Sequence, residues 1–214
     1  MTRSNASPTR QRILEAATSV FSERGYHGAS VDDIVAASNT SKGSFYFHFP
    51  NKEGLFLALV EDFAARLIEE VYDAVQAEEG KGAITRVRAA LRAGVGALLR
   101  RPALAKIFLV EAVGLNPQFE GKRREIYRAL AKLISGYLDA AVETGDLPPQ
   151  PTELAAYLWL GAISESVVYT LESGGPVDLD ELAETLTGYV LRAVGYAAPE
   201  ACARREPQPS DVST

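Results

Sequence analysis

Along nearly the whole chain apolar residues return every three or four positions, and no stretch sustains the period-two alternation of a half-buried strand. The spacing predicts about nine helices and an all-α fold. Ile13, Ala16, Ala17, Val20 and Phe21 mark one face of a first helix, from about Thr9 to Arg24, which Gly25 stops. Ser30-Val-Asp-Asp33 reads as a capping-box start for a short second helix ending near Ala37. Asn39 falls where a tight turn needs a left-handed residue, a conformation asparagine tolerates. A third helix starts at Thr40 or Ser41. A fourth runs from Asn51 to about Ala77 on the apolar steps Leu55, Leu59, Phe63, Leu67 and Val71.

Beyond the break Glu79-Gly-Lys-Gly82, a fifth helix carries Ile84, Val87, Leu91, Val95 and Leu98 as far as Arg101. Pro102 suits the first turn of a sixth, expected to end at Gly114. A seventh spans roughly Phe119 to Thr144. Two more, about Thr152 to Glu172 and Asp178 to Ala197, flank Ser173-Gly-Gly-Pro176. Residues 1–8 and 199–214 have little to bury and are expected to be disordered. Between them the expected division is a helix-turn-helix unit over residues 9–52 and a helical body over residues 53–198.

Charge sharpens that division. The formal net charge of -6 argues against a general nucleic-acid coat. Its distribution is uneven: residues 1–52 hold six Lys and Arg against four Asp and Glu, and the remainder holds 16 against 24. This asymmetry suggests a cationic front unit that meets an anion and an acidic body that does not. The single cysteine, Cys202, allows no disulfide framework and fits a reducing compartment. Without an apolar leader, or a run near ~18 uninterrupted apolar residues, a soluble cytoplasmic protein with no membrane partner is expected.

The chemistry concentrates in Ser41-Lys-Gly-Ser-Phe-Tyr-Phe-His-Phe-Pro-Asn-Lys52, short, aromatic and cationic at both ends. Placed after two helices and a tight turn, it has the grammar of a recognition helix entering the major groove. In that reading Ser41, Lys42, Gly43 and Ser44 face base edges. Lys42, Tyr46, His48 and Lys52 supply phosphate contacts, helped by the N-terminal dipole of the fourth helix. Phe45, Phe47 and Phe49 are read as core. His48 has a structural alternative, bonding a backbone carbonyl.

Thr40-Ser-Lys-Gly-Ser-Phe-Tyr-Phe-His-Phe-Pro-Asn-Lys-Glu-Gly-Leu-Phe56 resembles the signature of the TetR family of bacterial transcriptional regulators. So do Arg12-Ile-Leu-Glu-Ala-Ala17, Phe21, Gly25-Tyr26 and Ser30-Val-Asp-Asp-Ile-Val-Ala36. The chain departs at Asn39, where many members carry Gly, and at Thr40, where an aliphatic is usual and a phosphate contact becomes available. The resemblance implies a double-stranded DNA operator, a small-molecule effector, and a homodimer formed through the last two helices. Those helices are compatible with a seam, through Ala155, Gly161 and Ala162 on one and Leu182, Leu186, Tyr189 and Val190 on the other.

In such a fold Phe63, Leu67, Phe108, Phe119, Tyr127, Trp159 and Ile163 sit on helices that surround an effector cavity, each with ordinary core packing as its alternative. Glu111 and Glu165, acids within apolar helices, want a partner or a ligand. Lys122-Arg123-Arg124 offers an anion mouth or a solvated face. The Glu111–Arg124 stretch resembles, more weakly, members that sense fatty acyl-coenzyme A. The expected function is a ligand-responsive repressor released from its operator by a small hydrophobic effector. A multidrug sensor controlling an efflux gene, or a ligand-binding adaptor without DNA binding, stands as the alternative. No enzyme is expected: two distant histidines and one tail cysteine make neither a triad nor a metal set, and no cofactor loop is found.

Overall fold

The computed structural model describes residues 7–173 and 178–196. Of the ends expected to be disordered, residues 1–6 and 199–214 lie outside the described residues, as do 197–198 and the break at 174–177, whereas Pro8 opens the first helix. Nine α-helices and no strand are present among the described residues: α1 (Pro8–Gly28), α2 (Val31–Ala37), α3 (Lys42–His48), α4 (Lys52–Gln76), α5 (Ala83–Leu99), α6 (Pro102–Lys106), α7 (Pro117–Glu143), α8 (Thr152–Ser173) and α9 (Leu179–Ala193).

Local chemistry explains most boundaries. Ser30 Oγ accepts from the Asp33 N–H at 3.1 Å while the Asp33 carboxylate accepts from the Ser30 N–H at 3.0 Å, closing a capping box on α2. Asn39 adopts φ 51°, which lets the Thr40 N–H reach the Val35 carbonyl at 3.2 Å and turns the chain into α3. Ser41, Asn51 and Asn116 cap α3, α4 and α7 through their side-chain oxygens. Gly25 interrupts α1 at φ 68°, ψ 171°, a region open essentially to glycine alone.

The sixth helix differs from expectation. After Lys106 it passes into a π-helical turn, Ile107–Glu111, where the Ala112 N–H reaches back five residues to the Ile107 carbonyl at 2.9 Å. The wider turn changes the register, so the residues after it no longer continue the α6 stripe.

Ile13, Ala17, Phe21, Ile34, Phe45, Leu55 and Phe56 form the core of the first unit, with α1 touching α2, α3 and α4. In the body α4 lies along α5 and α7 along α8, while α5 also meets α7, α8 and α9. Each large side chain fully buried there contributes roughly 1.5–3 kcal/mol before entropy is counted. α8 is long and apolar enough, by length and composition, to cross a membrane. Here one face (Ala156, Trp159, Ile163, Val167) is buried in the body, while Leu154, Leu158 and Tyr169 are exposed on the other.

Candidate functional site

α3 has seven residues, so it buries one face only. Phe45 and Phe49, four apart, point into the first unit. Phe47 lies two residues from each, roughly 200° around the helix, and is 84% exposed. The expectation that Phe47 is core is therefore corrected: three phenylalanines at every second position match a strand's period, not a helix's. Ser41, Lys42, Gly43, Tyr46 and Phe47 form one exposed face, with Ser44 and His48 half-buried at its margin. Gly43 has open space around it: a Cβ at this position would come no closer than 3.8 Å to Ser41 Oγ.

Lys42 Nζ pairs with Asp32 at 2.7 Å on this surface, and the Asp32 hydrogen bond and charge raise its pKa, so the ammonium stays charged. Ser41 Oγ is engaged by the Ser44 N–H at 3.1 Å. The Thr40 hydroxyl bonds that of buried Ser38 at 2.8 Å, which ties Thr40 to the turn.

Lys52, expected at the DNA, is engaged within the protein. Its ammonium donates to the carbonyls of Tyr26 and Ala29 at 2.7 and 2.8 Å and lies 4.4 Å from the Tyr26 ring centroid. Carbonyls at the end of a helix lack intrahelical donors, and a nearby cation satisfies them. Burial pulls the Lys52 pKa below its ordinary value. The side chain thus fastens the end of α1 to the start of α4.

In the body, α4, α5, α7, α8 and the π turn line a partly open apolar cavity of about 70 Å³. Leu67, Phe108, Tyr127, Trp159 and Ile163 line it. Phe63 stands behind that wall, its ring edge-on to Phe108 with centroids 5.8 Å apart. Sequence reasoning missed the α5 contribution (Val87, Ala90, Leu91, Gly94) and Tyr137 and Ser164 opposite. The small pair Ala90 and Gly94, one helical turn apart, was the available signal. Polar groups in the wall are few: the Tyr127 and Ser164 hydroxyls bond each other at 3.1 Å, and buried Trp159 Nε1 has no partner among the described residues.

Three residues expected at the cavity are elsewhere. Glu111 accepts from the Tyr26 N–H at 3.3 Å, and Phe119 packs edge-on against Tyr26 and Phe56. Both join the body to the first unit, because the register set by the π turn sends Glu111 toward the end of α1. Arg123 pairs with Glu120 at 3.1 Å and stands over the Tyr127 ring, outside the lining. Its neighbours Lys122 and Arg124 are likewise engaged, by Glu61 and Glu125 and by the Glu120 carbonyl. Glu165 is exposed on α8.

A helix-turn-helix unit keyed onto a helical body with an internal apolar cavity defines a DNA-binding regulator. The chain belongs to the TetR family: residues 13–59 match the domain described as "Bacterial regulatory proteins, tetR family" and residues 80–194 match "Tetracyclin repressor-like, C-terminal domain". It is 31% identical over 164 residues to the transcriptional repressor DhaR of Mycobacterium sp. strain GP1, covering 73% of this chain and 81% of that one. The fatty acid metabolism regulator of Bacillus subtilis is 24% identical, covering 87% and 96%. Among solved structures, the fatty acid degradation regulator FadR of Bacillus halodurans superposes with TM-score 0.82 at 22% identity, covering 91% of this chain and all of that one. FadR of Bacillus subtilis in complex with stearoyl-CoA superposes with TM-score 0.77 at 22% identity, covering 88% and 99%.

Proposed function

We propose that the protein is a cytoplasmic, homodimeric repressor that leaves its operator when an apolar-chain effector, in the class of fatty acids and their acyl-CoA esters, fills the body cavity. The observation that carries this is a shared element. Phe108 and Leu109 form cavity wall, and two residues on, at the end of the same π turn, Glu111 holds the Tyr26 N–H of the DNA-binding unit. A ligand that displaces the wall therefore acts on the seat of α1. A cavity of about 70 Å³ is small beside the ~300–1,000 Å³ of ordinary ligand sites, so a long chain enters only by repacking its lining. By linkage, DNA then weakens effector binding by the same factor.

The exposed face of α3, including Phe47, meets the DNA, with Lys42, Gly43, Ser44 and Tyr46 nearest the groove and His48 at its margin. Leu154, Leu158, Gly161 and Ala162 form the outward ridge of α8, and Tyr189 is exposed on α9. An apolar ridge with small residues at its centre suits a two-fold helix pairing, and two recognition helices then span successive major grooves. Leu186 and Val190 of α9 are buried within one chain, so the seam rests more on α8.

A multidrug sensor is less well supported, since no Asp or Glu lines the cavity among the described residues to receive a cation. The test is an electrophoretic mobility shift with DNA from the protein's own upstream region, with and without palmitoyl-CoA or a cationic dye. Release by palmitoyl-CoA alone is expected. No shift at low salt would remove the regulator reading in favour of an adaptor, and release by the dye alone would favour the multidrug sensor.

A further inference from the structure

One wall of the cavity is flanked by a cation without a counter-ion among the described residues. α5 presents Val87, Ala90 and Gly94 to the cavity, and Arg86 stands one turn before Ala90 on the same face. Its guanidinium carbon lies 5.9 Å from the centroid of the Tyr137 ring, and Tyr137 is itself part of the wall. Arg86 is half-buried, and its Nε is fully buried with no acceptor. The other arginines along α5 and at its end each have a carboxylate partner: Arg88 and Arg92 share Glu184, and Arg100 and Arg101 share Glu70. Arg86 has no such pair among the described residues. An N–H buried and unmet beside apolar walls is costly until an acceptor completes it.

We propose that Arg86, with Tyr137 beside it, receives the anionic oxygen group of an amphipathic effector, a carboxylate or a phosphate, whose apolar chain lies in the cavity. This rests on the effector reading above and adds which end of the cavity is polar. A guanidinium grips two such oxygens in a fork and is weakly hydrated, which suits a half-buried anion. Burial raises the Tyr137 pKa against the opposing effect of the Arg86 charge, so its hydroxyl remains a donor at neutral pH. The rival cation, Arg123, also has an unmet Nε beside a lining tyrosine, but its charge is already balanced by Glu120.

Trp159 is the single tryptophan and stands in the cavity wall, so its emission reports occupancy directly. The full-length chain would be titrated, below micelle concentrations, with palmitate, palmitoyl-CoA and uncharged hexadecanol. At least one anion should bind about tenfold or more tightly than hexadecanol, the size of a charge-assisted hydrogen bond. Preference for palmitate identifies a carboxylate, and preference for palmitoyl-CoA identifies a phosphate. Arg86→Gln should abolish the preference while leaving hexadecanol within about twofold; Arg86→Lys should retain part of it, and Arg123→Gln nearly all.

Equal binding of all three ligands by the wild type would overturn the assignment. So would a preference that survives Arg86→Gln or vanishes in Arg123→Gln. If Arg86→Gln loses hexadecanol as well, Arg86→Lys decides: a Lys variant that binds hexadecanol like the wild type but shows no anion preference overturns it. A chain that binds none of the three, yet shifts DNA, refutes the acyl effector itself, and the Arg86 assignment falls with it.

Discussion

The carboxylate of Glu111 accepts a hydrogen bond from the backbone N–H of Tyr26 at 3.3 Å, joining two residues 85 positions apart. Glu111 closes the π turn whose Phe108 and Leu109 line the cavity, and Tyr26 begins directly after the break in α1. In the proposed mechanism this contact links occupancy of the body to the position of α1. Glu111→Ala should therefore shrink the ratio between operator affinities measured without and with palmitoyl-CoA, by about fivefold if one hydrogen bond of ~1 kcal/mol carries the link. An unchanged ratio would show that coupling runs elsewhere, for instance through Asn116 and Glu53, which bond at 2.9 Å.

Gly25 permits that contact. Its φ of 68° with ψ of 171° excludes side chains on strain alone, and a Cβ there would lie 3.1 Å from Glu111 Oε2. Gly25→Ala is expected to cost about 1–3 kcal/mol in urea unfolding. Gly28→Ala, whose Cβ would make ordinary contact with Arg24 at 3.6 Å, serves as the control. Equal losses at both positions would refute the conformational account.

Lys52→Ala should behave as a stability variant. Two carbonyls at the end of α1 lose a charged donor, a loss of roughly 1.5–3 kcal/mol. Well below its melting temperature the variant should keep the wild-type salt dependence of DNA binding. A drop of about one in that slope would return Lys52 to the phosphate-contacting set.

The two neighbouring phenylalanines should separate cleanly. Phe45→Ala removes a fully buried ring and is expected to cost about 3–5 kcal/mol. Phe47→Ala, at 84% exposure, should leave the melting temperature within error and weaken operator binding. Destabilisation by Phe47→Ala comparable to that of Phe45→Ala would contradict its placement.

Acid sensitivity has a local source at Glu70. Burial alone would raise its pKa, but hydrogen bonds and charge from Arg101 at 2.6 Å and Arg100 at 2.9 Å outweigh it and bring the pKa below its ordinary value. The unfolded chain therefore binds this proton first on acidification, and the stability is lost as pH falls through the folded pKa. Glu70→Gln should lower stability at neutral pH by no more than about 1 kcal/mol, given the partial exposure. The gap to wild type should close at the acid end of a pH series; a gap that widens there would reverse the sign.

Leu158 is 57% exposed at the middle of the α8 ridge. Leu158→Glu should leave a folded chain, by circular dichroism, that runs as a monomer in light scattering and loses tight operator binding. A dimer of undiminished affinity would place the two-fold seam on another face.

Apart from the end of α6, the helices, the caps at Ser30 and Asn51 and the turn at Asn39 are legible in the sequence alone. Each of these depends on residues within four positions of one another: Ser30 with Asp33, Asn51 with Gly54, Asn39 with the carbonyls just behind it. The DNA-binding unit is equally legible, because spacing, aromatic content and cationic ends coincide in one short segment. Where the long side chains end is a matter of tertiary packing. Lys52 reaches back to α1, Glu111 reaches Tyr26 and not the cavity, and Lys122 and Arg123 are taken by nearby acids while Arg86 is left unpaired among the described residues. Periodicity assigns a residue to a face, but a flexible side chain goes to whichever unmet donor or acceptor packing brings within reach. That choice is set by helices distant in the chain, and the π turn that reorients Glu111 leaves no mark in the hydrophobic pattern.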